Sequence, residues 1–425
     1  MTQARGTAAR RAFFAILFAA ALLRVVFAGW VVGFATEPKG DEADYHGIAT
    51  RLALGQGFVE PDGGPTARRP PMYPSLLAAL YAATDPDPVA GRVVQVILGV
   101  VVVALTAAVA RRLFGPGVAL AAAGFAALNP FLAFISGYLL TENLYMVLVL
   151  GALWIAPDPR GLLSEPRRAL APAALLGAAA LTRPTGLPVF EWTLAAALLL
   201  ATVPWRVRAV RVLAMAAAFA MIMLPWLARN AAVMGGWTLT THGGITFYQG
   251  NNEKVAQTPS WRGGVAPLEA LPRYDELMVL DDVARDRMAW HLGLAYLREH
   301  PRDVPELVTW KLVRFWRLRS DMGLSGIRSG WWWSRDSALG RLAADFDIGF
   351  VYALPTMTLF VAGLWLTRRR WRELALLYGI VVVHTAVAVV FFGSLRTRLP
   401  VEPVMCIFAG AALVWAARLR VRRRA

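Results

Sequence analysis

Cysteine is nearly missing from this chain: a single residue, Cys406, stands in an apolar run. An intramolecular disulfide is excluded, and a thiolate nucleophile is not expected, because apolar burial raises a thiol's pKa. Charge is scarce as well. Charged residues make up 17% of the 425 positions and hydrophobic ones 57%, whereas an ordinary soluble domain carries roughly 25% charged residues. No apolar run alternates with polar residues in the manner of a spanning β-strand, so a closed barrel is not expected. No glycine-rich loop ends in a phosphate-binding lysine, which leaves a nucleotide site without support. No short-period repeat is visible.

What the chain has instead is a series of apolar runs of about 20 residues, the length that crosses a bilayer. Mean hydropathy is +0.49. The net charge of +16 does not point to nucleic acid, because the arginines cluster in short loops between apolar runs. That is the positive-inside pattern. The reading is an all-α polytopic membrane protein of about ten spans. They are expected near residues 12–34, 89–110, 117–136 (broken at Asn129-Pro130), 141–156, 170–182, 184–201, a seventh ending at Pro225-Trp226, 348–366, 373–392 and 399–417. The first run is too long for a signal peptide's core and is read as a retained span. Arg24 in its middle is expected to face the bundle interior or snorkel.

Both termini are placed in the cytoplasm. Residues 1–417 form one transmembrane unit, with external loops at about 35–88 and 228–345, and residues 418–425 form a basic cytoplasmic tail. In the second external loop, Glu306–Arg319 reads as an interfacial helix and Trp331, Trp332 and Trp333 as a membrane-interface anchor.

The chain is organised around the first external loop, Thr36–Ser75. It opens on Asp41, Glu42, Asp44 and His46 and closes on Arg68 and Arg69 followed by two prolines. Asp41 is expected as the N-cap of a helix whose positive end favours these acids. Asp44 is expected to matter less, lying further along the axis. Other external span ends add Glu142, Arg183, Arg396 and Arg398. Arginines there oppose the positive-inside rule. A phosphate ligand explains them, since guanidinium pairs with phosphate in a bidentate way. The Asp41, Asp44 and His46 spacing could also hold a divalent ion, although nothing requires one.

The segments GDEADYHGIA and ARRPPMYPSLL, then LLTENLY, LTRPTGL, LPWLARN, GGITFYQGNN and SLRTRLPVEP, occur in an order that resembles glycosyltransferase family 39-like membrane enzymes. That family includes the protein O-mannosyltransferases and the lipid A aminoarabinose transferases. The resemblance implies the glycosyltransferase C fold, a polyprenyl-phosphate sugar donor and chemistry on the extracytoplasmic side of the cell membrane. By position it makes Asp41 the catalytic base, Glu42 its acidic neighbour and Glu142 the second-site acid. Tyr45, Arg69, Arg183, Arg396 and Arg398 would then hold the donor. No cofactor is implied with certainty; a divalent metal ion is possible, as in some relatives.

The reaction class that follows is transfer of a sugar to an acceptor hydroxyl of a protein, lipid or envelope glycan. It proceeds by one inverting displacement, with a carboxylate base activating the weak nucleophile. The alternatives are a ligase or polymerase of lipid-linked glycans, and a transporter or flippase of a lipid-linked sugar. A transporter would want ionisable groups at mid-membrane and inverted repeats; here the charges sit at the outer edge.

Overall fold

The computed structural model describes residues 2–318 and 348–424. Among the described residues no β-strand forms; one isolated bridge joins Val59 and Pro65. The helices are α1 (Thr2–Val26), α2 (Asp41–Ala53), α3 (Met72–Thr84), α4 (Pro88–Phe114), α5 (Pro116–Leu128), α6 (Pro130–Ile135), α7 (Glu142–Ile155), α8 (Pro159–Leu162), α9 (Pro166–Thr182), α10 (Gly186–Leu200) and α11 (Trp205–Met234). A second set follows: α12 (Gly243–Gly250), α13 (Glu253–Gln257), α14 (Tyr274–Met278), α15 (Asp282–Glu299), α16 (Val304–Trp316), α17 (Ile348–Thr367), α18 (Ala375–Val390), α19 (Leu395–Arg398) and α20 (Glu402–Arg424).

Helices stand where the apolar runs predicted spans. Five stretches are long and apolar enough to cross a bilayer by themselves: Thr7–Trp30, Pro88–Phe114, Trp205–Met234, Gly349–Arg370 and Leu395–Arg420. α5, α7, α10 and α18 are apolar but shorter. Outward faces carry large apolar side chains such as Phe14, Phe18, Leu199 and Met221, as a lipid-facing surface requires. The third run breaks at the expected place. Pro130 has no N–H to continue α5, and the Asn129 side chain caps α6 by accepting from Phe131 and Leu132 N–H at 2.9 and 3.1 Å. The seventh run differs from expectation: α11 passes through Pro225 and ends at Met234.

Arg24 is fully buried and turned inward. It donates to the Ala20 and Ala126 carbonyls at 3.1 and 3.3 Å. Gly99 makes room, since a β-carbon there would sit 2.7 Å from the Arg24 Nε. Inside the bundle the guanidinium therefore meets backbone dipoles, which offset part of the cost of a buried charge.

The basic loops gather at one end of the bundle. Arg160 approaches Glu373 at 3.6 Å, Arg370 donates to the Leu113 carbonyl at 2.8 Å, and Arg211 reaches the Leu163 carbonyl. The opposite end carries α2, α3 and a helical cap, α12–α16. The cap has its own small core of Ile245, Tyr248, Val255, Leu277, Tyr296 and Leu307. α16 begins at Val304 and ends at Trp316, burying Leu307, Lys311 and Phe315 while Trp310 and Val313 stay exposed. The expected anchor at Trp331, Trp332 and Trp333 lies outside the described residues.

Candidate functional site

At the capped end, four segments distant in sequence bring together a chain of alternating charges. α2 supplies the first. Gly40, with φ 56°, is its N-cap and gives no side-chain cap; Asp41 is the first helical residue. The expectation that Asp41 caps the helix is therefore corrected. A helix turns about 100° per residue, so positions three and four apart share a face. Asp41, Asp44 and Tyr45 accordingly face one way, and Glu42 faces another.

Arg69 meets that face. It donates to Asp41, and to Asp44 at 2.7 and 3.2 Å, and its guanidinium lies 5.2 Å from the Tyr45 ring centre. Arg68 donates to the other oxygen of Asp44 at 2.6 Å. Asp44 is thus a full member of the cluster, contrary to the expectation from its distance along the axis. The segment carrying these arginines is tied down by its backbone. The carbonyl of Thr66 accepts from Arg229 at 2.7 Å, that of Ala67 from the Thr241 N–H at 3.0 Å, and that of Arg68 from the Thr240 hydroxyl at 2.8 Å.

Glu142 opens α7 and is fully buried. Its Oε1 accepts from Arg183 and from Arg396, each at 2.6 Å. Arg183 sits at the break between α9 and α10, where Pro184 prevents the helix from continuing. Gly186 makes the turn possible, because a β-carbon there would lie 2.5 Å from the Ala180 nitrogen. Arg396 lies on α19, whose start is a reciprocal cap between Ser394 and Thr397. From there its guanidinium bridges Glu142 and Asp41, reaching each at 2.6 Å. The order of contacts is Arg68, Asp44, Arg69, Asp41, Arg396, Glu142, Arg183.

Burial raises the Asp41 carboxyl, but the Arg396 and Arg69 guanidiniums outweigh it and hold the group well below the usual carboxylate range. Asp41 and Arg396 are the open middle of this chain, each about a third exposed (34% and 33%); Arg68 at its end is as open. His242, on the segment that pairs with Ala67 and Arg68, is pushed down to about 4 by burial and by Arg69. It is neutral at physiological pH and stands beside the cluster.

Two candidates lie elsewhere. Glu42 accepts from the Leu139 N–H at 2.7 Å and approaches the fully buried Arg92 at 3.6 Å. These contacts tie the first loop to α4 and to the segment between α6 and α7; the carboxyl points to these partners rather than to Arg69. Arg398 is fully buried and paired with Glu402 at 2.9 Å. It also donates to the Phe315 and Arg317 carbonyls at 3.2 and 2.7 Å. Two residues along a tight turn separate it from Arg396 and send it into the bundle. Asp44 and Arg68, which the sequence places at the two ends of the first external loop without a role in the site, join the cluster; their i, i+3 relation to Asp41 and adjacency to Arg69 are the signals for it.

A divalent ion does not fit this arrangement. Among the described residues no group of three or more His, Cys, Asp or Glu could hold one. Both Asp41 oxygens already accept from arginines, and Glu142 keeps only Oε2 without a partner. His46 is turned to the Tyr81 hydroxyl at 2.9 Å, away from Asp41 and Asp44. The position between the two acids, where a cation would be useful, is filled by the Arg396 guanidinium.

Residues 68–228 match the family model for dolichyl-phosphate-mannose-protein mannosyltransferase; the matched region contains Arg69, Glu142 and Arg183. No curated protein sequence matches the chain. The fold is similar to that of the oligosaccharyltransferase from Archaeoglobus fulgidus. The apo form superposes with a TM-score of 0.56 at 13% identity, over 97% of this chain and 51% of that one. The same enzyme, AglB, in complex with an inhibitory peptide and a dolichol-phosphate gives 0.53 at 13% identity over the same shares. This chain spans about half the length of that enzyme. ArnT from Cupriavidus metallidurans bound to undecaprenyl phosphate is more distant, with a TM-score of 0.44 at 13% identity over 95% of this chain and 77% of that one. The chain is a helical membrane protein of the glycosyltransferase C fold.

Proposed function

We propose that this protein transfers a sugar from a polyprenyl-phosphate donor to an acceptor hydroxyl, at the charge cluster and on the extracytoplasmic side of the membrane. The observation that carries the reading is the Arg396 bridge between Asp41 and Glu142, flanked by Arg69 and Arg183. Arginines interleaved with carboxylates at the end of the bundle away from the basic loops oppose the topology rule, and a lipid phosphate accounts for them. The family match over residues 68–228 supports the same donor class.

The chemistry follows from the charges. In the resting cluster every arginine is held by a carboxylate. A phosphodiester donor brings one negative charge, which competes with Asp41 for Arg396 and Arg69. As they turn to the phosphate, Asp41 loses its two stabilising partners and becomes a stronger base. It then takes the proton of the acceptor hydroxyl. The acceptor oxygen bonds to the anomeric carbon as the bond from that carbon to the phosphate oxygen breaks, with inversion. The charge gathered on the departing polyprenyl phosphate falls on Arg396, Arg69 and Arg183. Glu142 holds Arg183 and Arg396 in place. Both termini and the basic loops lie in the cytoplasm on this reading.

The test is turnover by purified protein in lipid nanodiscs with synthetic polyprenyl-phosphate sugars, following release of free polyprenyl phosphate. Mass spectrometry of lipid-linked sugars accumulating in a deletion strain identifies which sugar to supply. A flippase would move the donor without cleaving it. Transport of the intact accumulating donor, with no release of polyprenyl phosphate, would refute the reading.

A further inference from the structure

At the end of the bundle away from the cluster, α10, α17 and the start of α18 surround a cavity of about 630 Å³. Its walls are Trp192 and Leu199 from α10, Leu364 from α17, and Trp371 and Tyr378 beyond it; Arg368 stands at its edge. That volume lies in the range of small-molecule sites, and the walls are almost wholly apolar. The surroundings are basic. Arg368, Arg369 and Arg372 meet no carboxylate among the described residues, whereas Arg370 is taken up by Glu373. Arg368 stacks over Trp365 at 4.0 Å and donates to its carbonyl at 2.7 Å. Arg372 lies over Trp371 at 5.3 Å. Indoles carrying guanidiniums mark headgroup depth in a bilayer, and basic pockets between membrane helices bind anionic headgroups. The positive-inside pattern explains why arginines collect at this end. It does not explain an apolar cavity opening among them.

We propose that this cavity is a binding site for an anionic phospholipid of the bilayer, with one acyl chain between α10 and α17, over the start of α18, and the phosphate on Arg368 and Arg372. The sugar donor is not the occupant. Its phosphate is assigned above to Arg396, Arg69 and Arg183, and the 13 residues from Gly186 to Leu199 carry α10 roughly 20 Å along its axis away from Arg183. The site therefore belongs to the other leaflet and stands apart from the transfer reaction.

The experiment is native mass spectrometry of the purified full chain in detergent, titrated with dioleoyl phosphatidylglycerol or with phosphatidylcholine of the same chains. Inorganic phosphate serves as a competitor. Each arginine near an anionic headgroup contributes roughly fivefold, so with two of them wild type is expected to prefer phosphatidylglycerol by about tenfold or more. Arg368→Gln with Arg372→Gln should erase that preference while leaving phosphatidylcholine binding as it was. Ala195→Trp, at a surface position lining the cavity, should weaken both lipids. Inorganic phosphate should not displace the lipid. The proposal is overturned if the preference survives the double arginine variant or if Ala195→Trp changes nothing. Displacement by inorganic phosphate would overturn it too, since the chain would then contribute nothing.

Discussion

Replacing Asp41 by asparagine separates its electrostatic role from its chemical one. Each carboxylate oxygen accepts from one arginine: Arg69 on one, Arg396 at 2.6 Å on the other. Asparagine keeps the shape, but one terminal atom becomes a donor facing a guanidinium that also only donates. One charge-assisted bond is lost, worth about 1.5–3 kcal/mol in a dry site. A third of the side chain is exposed, so a stability loss of about 1 kcal/mol is expected. The chemical loss is larger. A positioned base contributes about 10²–10⁴ in rate, roughly 3–5 kcal/mol of barrier. Transfer, donor binding and thermal unfolding are measured on one preparation. Turnover should fall by that factor while donor still binds. The pH profiles carry an independent check. In the free enzyme the arginines hold the Asp41 carboxyl low, so its share of stability is whole above about pH 4 and fades only as pH falls toward the folded value. Once donor draws the arginines away, the carboxyl titrates higher. The acid limb of kcat should then lie at higher pH than that of kcat/KM. Near-normal turnover of Asp41→Asn, or coincident acid limbs, would refute the reasoning.

Arg396→Ala should raise the donor KM and lower kcat together, with Arg396→Lys recovering only part, because an ammonium cannot bridge two carboxylates in the plane of a guanidinium; full recovery with lysine would count against the bridge. Arg398→Met should cost about 3–5 kcal/mol of stability by leaving Glu402 unpaired in the bundle, and Arg398→Met with Glu402→Met should recover much of it; the folded double variant should turn over within about threefold of wild type, and a lost turnover would return Arg398 to the site. Lys311 is buried against Asn251 Oδ1 at 2.7 Å and the Val389 and Val390 carbonyls at 3.1 and 3.3 Å, and burial pushes it down to about 7. Its unfolded value is near 10.4, so wild type measured against Lys311→Met should gain thermal stability as pH rises from 7 toward 10; a flat difference would show that the amine stays charged. For orientation, Asp62→Cys should react with an impermeant maleimide in intact cells and Ser164→Cys should not, against the silent background of buried Cys406; the reverse labelling would place the cluster in the cytoplasm.

The chain's apolar runs and their breaks were legible because each rests on a local rule: a length that spans a bilayer, a proline without an N–H, an arginine loop. Pro225 shows where such a rule gives way, since α11 runs on past it to Met234; a proline costs a helix one bond and one contact, and tertiary packing can outweigh both. The cluster was legible for a different reason. Arg69, Arg183 and Arg396 stand at span ends where topology disfavours them, so something else must keep them there. That test says a residue is unusual; it does not say where the side chain points. Arg396 and Arg398 satisfy it equally, yet a single short turn sends one to Asp41 and the other to Glu402 inside the bundle. An i, i+4 reading of Arg398 with Glu402 would have separated them. The acids divide in the same way. One step from Asp41 turns Glu42 by about 100°, away from Arg69, while three steps return Asp44 to within about 60° of the starting direction. Distance along the helix axis was the wrong coordinate for Asp44, because a guanidinium spanning two carboxylates needs them on one face rather than at one height. The arrangement that results places a cation between the acids at every step, and on the proposed mechanism it makes Asp41 a base only when a competing anion arrives.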